Sequence, residues 1–150
     1  MLDTITDSAA SSEPTRAVRY VFVYGTLRRG EQRDINRLLP TPLFIGYGKI
    51  HGVLYHLGAY PGVRLGGTHF VYGEVYQISP ELERQLDAIE EVWPQPTGEY
   101  SRREVQVALT GREAASWAAL EPTCLIYEVA EGRTAGMPVI VSGNWLDASL

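Results

Sequence analysis

The side chain best placed for acid-base chemistry is Glu90, near the end of the segment SPELERQLDAIEE. Apolar residues recur in this segment with the spacing of a helix. At about 100° per residue, Glu90 lies one turn after Leu86 and beside Ile89, whereas Glu91 points almost to the opposite side. The spacing therefore predicts that Glu90 lies at the margin of the apolar face and points inward.

Glu90 also lies close to the C-terminus of the predicted helix. Partial negative charge at that end and partial burial both raise a carboxyl pKa from about 4.3 toward the range of a general base. In the alternative, Glu90 is solvated or forms a structural salt bridge with Arg102 or Arg103. The residues alone leave both interpretations open.

A second candidate is the stretch VFVYGTLRRG, residues 21–30, where a strand-like apolar run stops at Gly25 and Thr26. Glycine permits close backbone approach, and a turn with unpaired N–H groups forms a concavity that binds anions. In the alternative, this is an ordinary strand-to-helix turn, with Arg28 and Arg29 as solubilising surface charge.

Other chemistries lack the residues that they need. His51 and His56 would point to opposite faces of a strand and His69 lies beyond a glycine turn, so we expect no metal site. The sequence has no GxGxxG, Walker-type or GxSxG motif, so we expect no nucleotide cofactor and no serine nucleophile. Cys124 is the one cysteine, so no disulfide can form within the chain, and we predict that it is a buried thiol in a strand.

Composition narrows the class of protein further. The chain has 150 residues, 45% of them hydrophobic, which suits one globular domain, and no apolar run is long enough to cross a bilayer. A formal net charge of −5 disfavours nucleic acid and anionic membranes as partners, so we expect a small-molecule ligand. Residues 1–17 are acidic and rich in Ser and Ala, unlike a secretory signal. We therefore expect a disordered tail, a domain over residues 18–150 and a cytoplasmic location.

The elements that must position these residues are short and mixed. Because the strands lack a regular βα alternation, we predict an α+β domain, with a mixed, curved sheet that closes into a barrel and a few short flanking helices. After AYPGVRLGG, predicted as a turn, a strand returns, and Ser79 and Pro80 begin the main helix. The other predicted elements are strands at Val18–Tyr24, Leu43–Leu57 (one or two), His69–Ile78, Tyr100–Leu109, Thr123–Val129 and Pro138–Val141, and a short helix at Glu31–Leu39.

Five short motifs occur in a recognisable order: VYGTLRRG, GAYPG, YGEVYQI, LDAIE and YSRREVQV. Together they resemble the γ-glutamylcyclotransferase-like family, in its bacterial-type γ-glutamylamine branch, from about Tyr20 to SGNW near the C-terminus. The resemblance implies a small α+β domain with a mixed β-barrel. It also implies an enzyme that cyclises a γ-glutamyl group to 5-oxoproline and releases the attached amine.

The resemblance assigns roles to particular residues. It places the catalytic general acid and base on Glu90 and implies that no cofactor is needed. Backbone N–H groups of the turn would hold the α-carboxylate or the developing oxyanion of a small-molecule γ-glutamyl substrate. The substrate-binding positions are Tyr24, Gly25, Thr26, Leu27 and, in a late strand, Tyr127.

Two positions depart from the family's pattern. Glu91 stands where the family commonly has glycine, and a second carboxylate there raises the pKa of Glu90 by repulsion. Trp93, in the proline-interrupted loop EVWPQPTGEY, is either a specificity residue or part of the core.

Two rival functions stay open. The same fold could serve as a non-catalytic binding module, which a Glu90 paired to Arg102 or Arg103 and the lack of a cleft would favour. An amidohydrolase would instead use Glu90 to activate water, and it would release glutamate rather than 5-oxoproline.

Overall fold

The computed structural model describes residues 19–92, 97–110 and 121–148. The predicted tail, Val18 and Trp93 lie outside these residues. Six strands and two α-helices are present in the described ranges. They are β1 (Arg19–Val23), β2 (Leu43–His56), β3 (Pro61–Ile78), α1 (Pro80–Ile89), β4 (Tyr100–Gln106), β5 (Ala108–Thr110), β6 (Thr123–Val129) and α2 (Trp145–Ala148), with 3-10 turns at Ile35–Arg37 and Glu131–Arg133.

The α+β class is confirmed, but the expected closure of the sheet into a barrel is wrong. The strands lie in the order β4-β6-β1-β3-β2-β5; β1 runs parallel to β6, and the other neighbours are antiparallel. The edge strands β4 and β5 follow each other along the chain, with only the buried Val107 between them. These two strands stand at the ends of the strand order and do not pair with each other, as the first and last strands of a closed barrel would. The sheet is therefore curled but open.

The long hairpin of β2 and β3 corrects the prediction of a turn at AYPGVRLGG. Strand β3 begins at Pro61, well before the predicted His69, and pairs with β2 along most of its length. The register shifts between His51, paired with Phe70, and Gly52, paired with Leu65. Residues 66–69 thus form an insertion inside the strand, and Gly66 and Gly67 adopt the positive φ angles that this bulge requires.

Helix α1 begins as predicted, because the Ser79 hydroxyl accepts a hydrogen bond from the Leu82 N–H at 3.1 Å. The predicted helix at Glu31–Leu39 is wrong, since only the 3-10 turn Ile35–Arg37 forms there. Backbone N–H groups in that loop bond back to the turn after β1 instead of continuing a helix.

The remaining strand predictions have mixed outcomes. Thr123–Val129 is confirmed as predicted, and Tyr100–Leu109 is divided at Val107 into β4 and β5. Pro138–Val141 is not a strand, because Val139 forms only an isolated bridge with Tyr55.

Apolar residues fill both faces of the sheet, since successive strand residues point to opposite sides. On one face, α1 packs Leu82 and Leu86 against Val21, Val23 and Tyr76. The other face holds a cluster that includes Phe22, Val71, Val75, Ile126 and Trp145. The segment after β1 lies on the α1 side, where the core includes Leu27 and Ile35. No described helix has the length and apolar character to cross a membrane.

A buried ion pair fixes the segment that follows β1. The Arg28 guanidinium donates to the Glu74 carboxylate at 3.0 Å, and both side chains are almost fully buried. Arg28 also donates to Asn144 Oδ1 at 2.9 Å, and Glu74 accepts from the Arg29 N–H at 3.0 Å and the Tyr76 hydroxyl at 2.9 Å. Arg28 is therefore a structural anchor and not the surface charge of the alternative interpretation.

We expect Arg28→Met to lower the free energy of unfolding by about 3–5 kcal/mol, because the variant leaves the Glu74 carboxylate buried without its cation. Urea unfolding measures this loss. Arg29→Met is the matched control, because Arg29 is exposed. Its guanidinium carbon lies 4.9 Å from the centroid of the Phe44 ring, so the variant loses a surface contact between a cation and an aromatic ring. Its loss should be below about 1 kcal/mol. Equal stability of the two variants would contradict the assignment of Arg28 as an anchor.

Candidate active site

A cleft of about 200 Å³ opens where the turn after β1 meets the C-terminal end of α1. All six residues predicted for the site line this cleft. Its walls are residues 22–27, Arg33, Tyr60, Pro61, residues 89–91, Glu99, Tyr100 and Tyr127.

The turn at Gly25, Thr26 and Leu27 uses its carbonyl groups and leaves its N–H groups unpaired. Its three carbonyl oxygens accept hydrogen bonds from the N–H groups of Arg28, Arg33 and Ile35, at 3.0, 2.8 and 2.9 Å. Within the described part of the chain, no acceptor engages the N–H groups of Gly25, Thr26 or Leu27. Unpaired backbone donors beside a cleft are suited to bind a carboxylate or an oxyanion.

Gly25 is required by close packing. A Cβ atom at this position would lie 2.6 Å from Cγ of Pro61, which also lines the cleft. The absence of a side chain therefore lets the turn approach the start of β3, as the sequence suggested.

Glu90 is the C-cap of α1, and its N–H donates to the Leu86 carbonyl at 2.9 Å. Among the residues that the structure describes, its carboxylate has no hydrogen-bond or ion-pair partner. Burial raises the pKa of Glu90 from its ordinary 4.5 to about 7, against the opposing effect of Arg33 and with smaller upward contributions from Glu99 and Glu91. A carboxyl group with this pKa can accept and return a proton near neutral pH.

The two arginines that could have neutralised Glu90 are engaged elsewhere. Arg102 donates to Asp87 at 2.7 Å and also pairs with Glu83, while Arg103 pairs with Glu128 at 3.1 Å. The salt bridge between Glu90 and Arg102 or Arg103, which the sequence left open, does not form.

Three tyrosines surround the Glu90 carboxylate closely enough for its charge to raise their pKa values, which burial already raises. Their hydroxyls point to other partners. Tyr24 donates to the Tyr127 carbonyl at 2.7 Å, Tyr127 to Asp87 at 2.7 Å and Tyr100 to the Pro61 carbonyl at 2.9 Å. The predicted positions Tyr24 and Tyr127 thus line the cleft with hydroxyls that already have partners in the protein.

Glu91 departs from the helical geometry assumed for it. Helix α1 ends at Ile89, and Glu91 has a φ of 60°, a left-handed conformation that favours glycine. It therefore lines the same cleft as Glu90 instead of pointing to the opposite side. The predicted upward effect of its carboxylate on the pKa of Glu90 is confirmed.

Sequence reasoning missed Arg33, Tyr60, Pro61, Glu99 and Tyr100 as cleft residues. The motifs GAYPG and YSRREVQV contain three of them, so the motif order was a usable signal. Arg33 and Glu99 lie outside these motifs, so the sequence did not mark them as cleft residues. Glu99 accepts from the Tyr60 hydroxyl at 2.6 Å and pairs with Arg133 at 3.2 Å, which makes it part of the wall.

No group of His, Cys, Asp and Glu side chains in residues 19–92, 97–110 and 121–148 is arranged to hold a metal ion. Cys124 is buried and lies outside the cleft, and burial raises its pKa to about 12.

Sequence comparison connects this cleft to known proteins. The family described as "Gamma-glutamyl cyclotransferase, AIG2-like" matches residues 21–147. The gamma-glutamylcyclotransferase family protein ytfP of Citrobacter rodentium is 33% identical over 128 residues, 85% of this chain and 95% of that protein. The gamma-L-glutamyl-butirosin B gamma-glutamyl cyclotransferase of Niallia circulans is 35% identical over 100 residues, 65% of this chain and 63% of that protein.

Structure comparison agrees with the sequence. The crystal structure of an AIG2-like protein from Mus musculus superposes with a TM-score of 0.65 and 26% sequence identity, over 81% of this chain and 85% of that chain. The family match covers both the turn after β1 and the end of α1, which form the two walls described above. The chain therefore belongs to the AIG2-like gamma-glutamyl cyclotransferase family.

Proposed function

We propose that this protein is a γ-glutamylcyclotransferase that converts the γ-glutamyl group of a small molecule to 5-oxoproline and releases the attached amine. The observation that carries the proposal is the pairing of two unsatisfied groups in one cleft. A carboxylate without a partner, Glu90, faces a turn with unpaired N–H groups, Gly25 to Leu27. Family membership and the name of the Niallia circulans relative support the same reaction.

Glu90 acts as the general base and then as the general acid. Its carboxylate takes a proton from the α-ammonium group of the substrate, and the freed amine attacks the γ-carbonyl carbon of the same γ-glutamyl group. A ring C–N bond forms, and the ring nitrogen gives up a second proton. As the original amide C–N bond breaks, the departing nitrogen takes up both protons, one of them returned by Glu90, and leaves as an ammonium ion. Every atom comes from the substrate and the proton is recovered, so the reaction needs no cofactor.

The turn supplies the anion site for this reaction. Unpaired N–H groups of Gly25, Thr26 and Leu27 hold the substrate α-carboxylate or the oxygen on which charge develops. Tyr24, Tyr100 and Tyr127 line the cleft around the folded substrate. Holding the amine against its own carbonyl carbon gives the rate advantage of an intramolecular attack.

The first experiment compares the native chain with Glu90→Gln on γ-glutamyl amino acids, γ-glutamyl-lysine compounds and glutathione. We expect native turnover to 5-oxoproline and a loss of at least about 100-fold in kcat/KM in the variant, because the amide cannot carry the proton. Glu104→Gln makes the same chemical change on an exposed residue outside the cleft and is expected to keep native activity.

Each alternative function has its own outcome in this experiment. Release of glutamate in place of 5-oxoproline would indicate hydrolysis through an activated water. Binding of these compounds without turnover would indicate a binding module. Equal activity of Glu90→Gln and the native chain would exclude Glu90 as the acid and base.

The pH dependence gives a second prediction. Glu90 must be ionised to accept the proton, so kcat/KM of the native chain should rise with pH and level off above an apparent pKa of about 7. An unperturbed glutamate would place that rise near its ordinary pKa of 4.5. Measuring kcat/KM between pH 5 and 8 distinguishes the two, since the unperturbed case gives an almost flat profile there. A flat profile would contradict the burial of a catalytic Glu90.

Gly25→Ala tests the position of the turn. The added Cβ would meet Pro61 at 2.6 Å, so the turn or Pro61 must move. We expect kcat/KM to fall by about tenfold or more, because the donors leave their positions. Gly132→Ala is the matched control, since a Cβ there meets nothing within 4 Å. Equal kinetics of these two variants would show that the donors at Gly25 to Leu27 do not contribute.

A further inference from the structure

A surface groove adjoins the cleft on the side of the loop that follows β1. Its volume is about 440 Å³, and its walls are Gln32, Arg33, Asp34, Arg37, Leu38 and Ile89. Arg33 and Ile89 line both the groove and the cleft. A substrate whose leaving amine extends out of the cleft on this side therefore passes Arg33.

Arg33 is the charged residue of the groove whose side chain is not already engaged. Arg37 donates to the carbonyl oxygens of Glu31 and Gln32, at 3.0 and 3.2 Å. The Asp34 carboxylate accepts hydrogen bonds from the backbone N–H of Gly30 and from Asn36. In the described ranges, the Arg33 guanidinium has no hydrogen-bond or ion-pair partner.

The backbone holds Arg33 beside the reacting groups. Its N–H donates to the Thr26 carbonyl at 2.8 Å, which ties the residue to the turn that carries the unpaired donors. Its charge also reaches the carboxylate of Glu90 and lowers that group's pKa. A fixed backbone with an uncommitted guanidinium is suited to bind a carboxylate through two parallel N–H donors.

Building on the proposed cyclotransferase function, we propose that Arg33 binds a carboxylate of the leaving amine. The preferred substrates are then γ-glutamyl amino acids and peptides with a carboxylate close to the scissile amide. The anion of the γ-glutamyl half is bound separately, by the N–H groups of Gly25 to Leu27. Glu91 lines the cleft but not the groove, whereas Arg33 lines both.

Two substrates that differ by one carboxylate test this inference: γ-glutamylalanine and γ-glutamylethylamine. We expect the native chain to prefer γ-glutamylalanine in kcat/KM, and Arg33→Gln to reduce that preference by about tenfold, as for one charge-assisted bidentate contact. The readout is the ratio between the two substrates, because any effect of Arg33 on the pKa of Glu90 changes both rates together. Arg84→Gln removes the same charge from an exposed position outside the cleft and the groove, and should keep the native ratio.

Several results would overturn the inference. No native preference for γ-glutamylalanine would show that the site does not recognise a carboxylate on the leaving amine. An equal loss on both substrates in Arg33→Gln would show that Arg33 acts on the part of the reaction that the two substrates share. If the native chain turned over γ-glutamyl-1,2-diaminoethane faster than γ-glutamylalanine, the mouth of the cleft would bind a cation, through Glu91, and not a carboxylate.

Calorimetric binding of the same compounds separates this inference from the proposed reaction. If neither compound is turned over but the affinity ratio falls in Arg33→Gln, the proposed function fails and the carboxylate site stands. If the native chain binds neither compound, both proposals fail.

Discussion

The buried ion pair between Arg28 and Glu74 holds the candidate site together, because it fixes the segment from which the site is built. Burying two charges is costly unless they are paired and further hydrogen bonded, and here Asn144 and Tyr76 supply those additional bonds. Arg28 follows the turn directly, and Glu74 lies in β3 opposite the end of β1. The pair thus connects the turn at Gly25 to the centre of the sheet.

Around this anchor, the polar groups of the region divide into two sets. Most of them satisfy one another: the arginines of β4 pair with Asp87 and Glu128, and the hydroxyls of Tyr24, Tyr100 and Tyr127 bond to backbone or to Asp87. The Glu90 carboxylate and the N–H groups of the turn are left without partners in the described residues. Such unsatisfied groups reduce stability, and proteins retain them where a ligand is to be bound.

How far the sequence could predict this arrangement depends on the range of each interaction. Glu90 could be placed because a local pattern, from the Ser79 cap to the apolar face of Leu82 and Leu86, determines helix α1. The burial of Arg28 could not be predicted from the sequence, because its partner Glu74 lies 46 residues away in strand β3. The open sheet could not be predicted either, because the strand order depends on pairings between residues far apart in the sequence, such as Val21 with Leu125.

The most direct test of the account is the ionisation of Glu90 itself. In protein labelled with ¹³C at glutamate Cδ, the signal that disappears in Glu90→Gln belongs to this residue, and its chemical shift can be followed with pH. We expect a midpoint at about 7, because the carboxyl group is largely removed from solvent and forms no ion pair with any residue that the structure describes. A midpoint near the ordinary value of 4.5 would mean that Glu90 is a solvated surface carboxylate, and the proposed acid-base role would then be wrong.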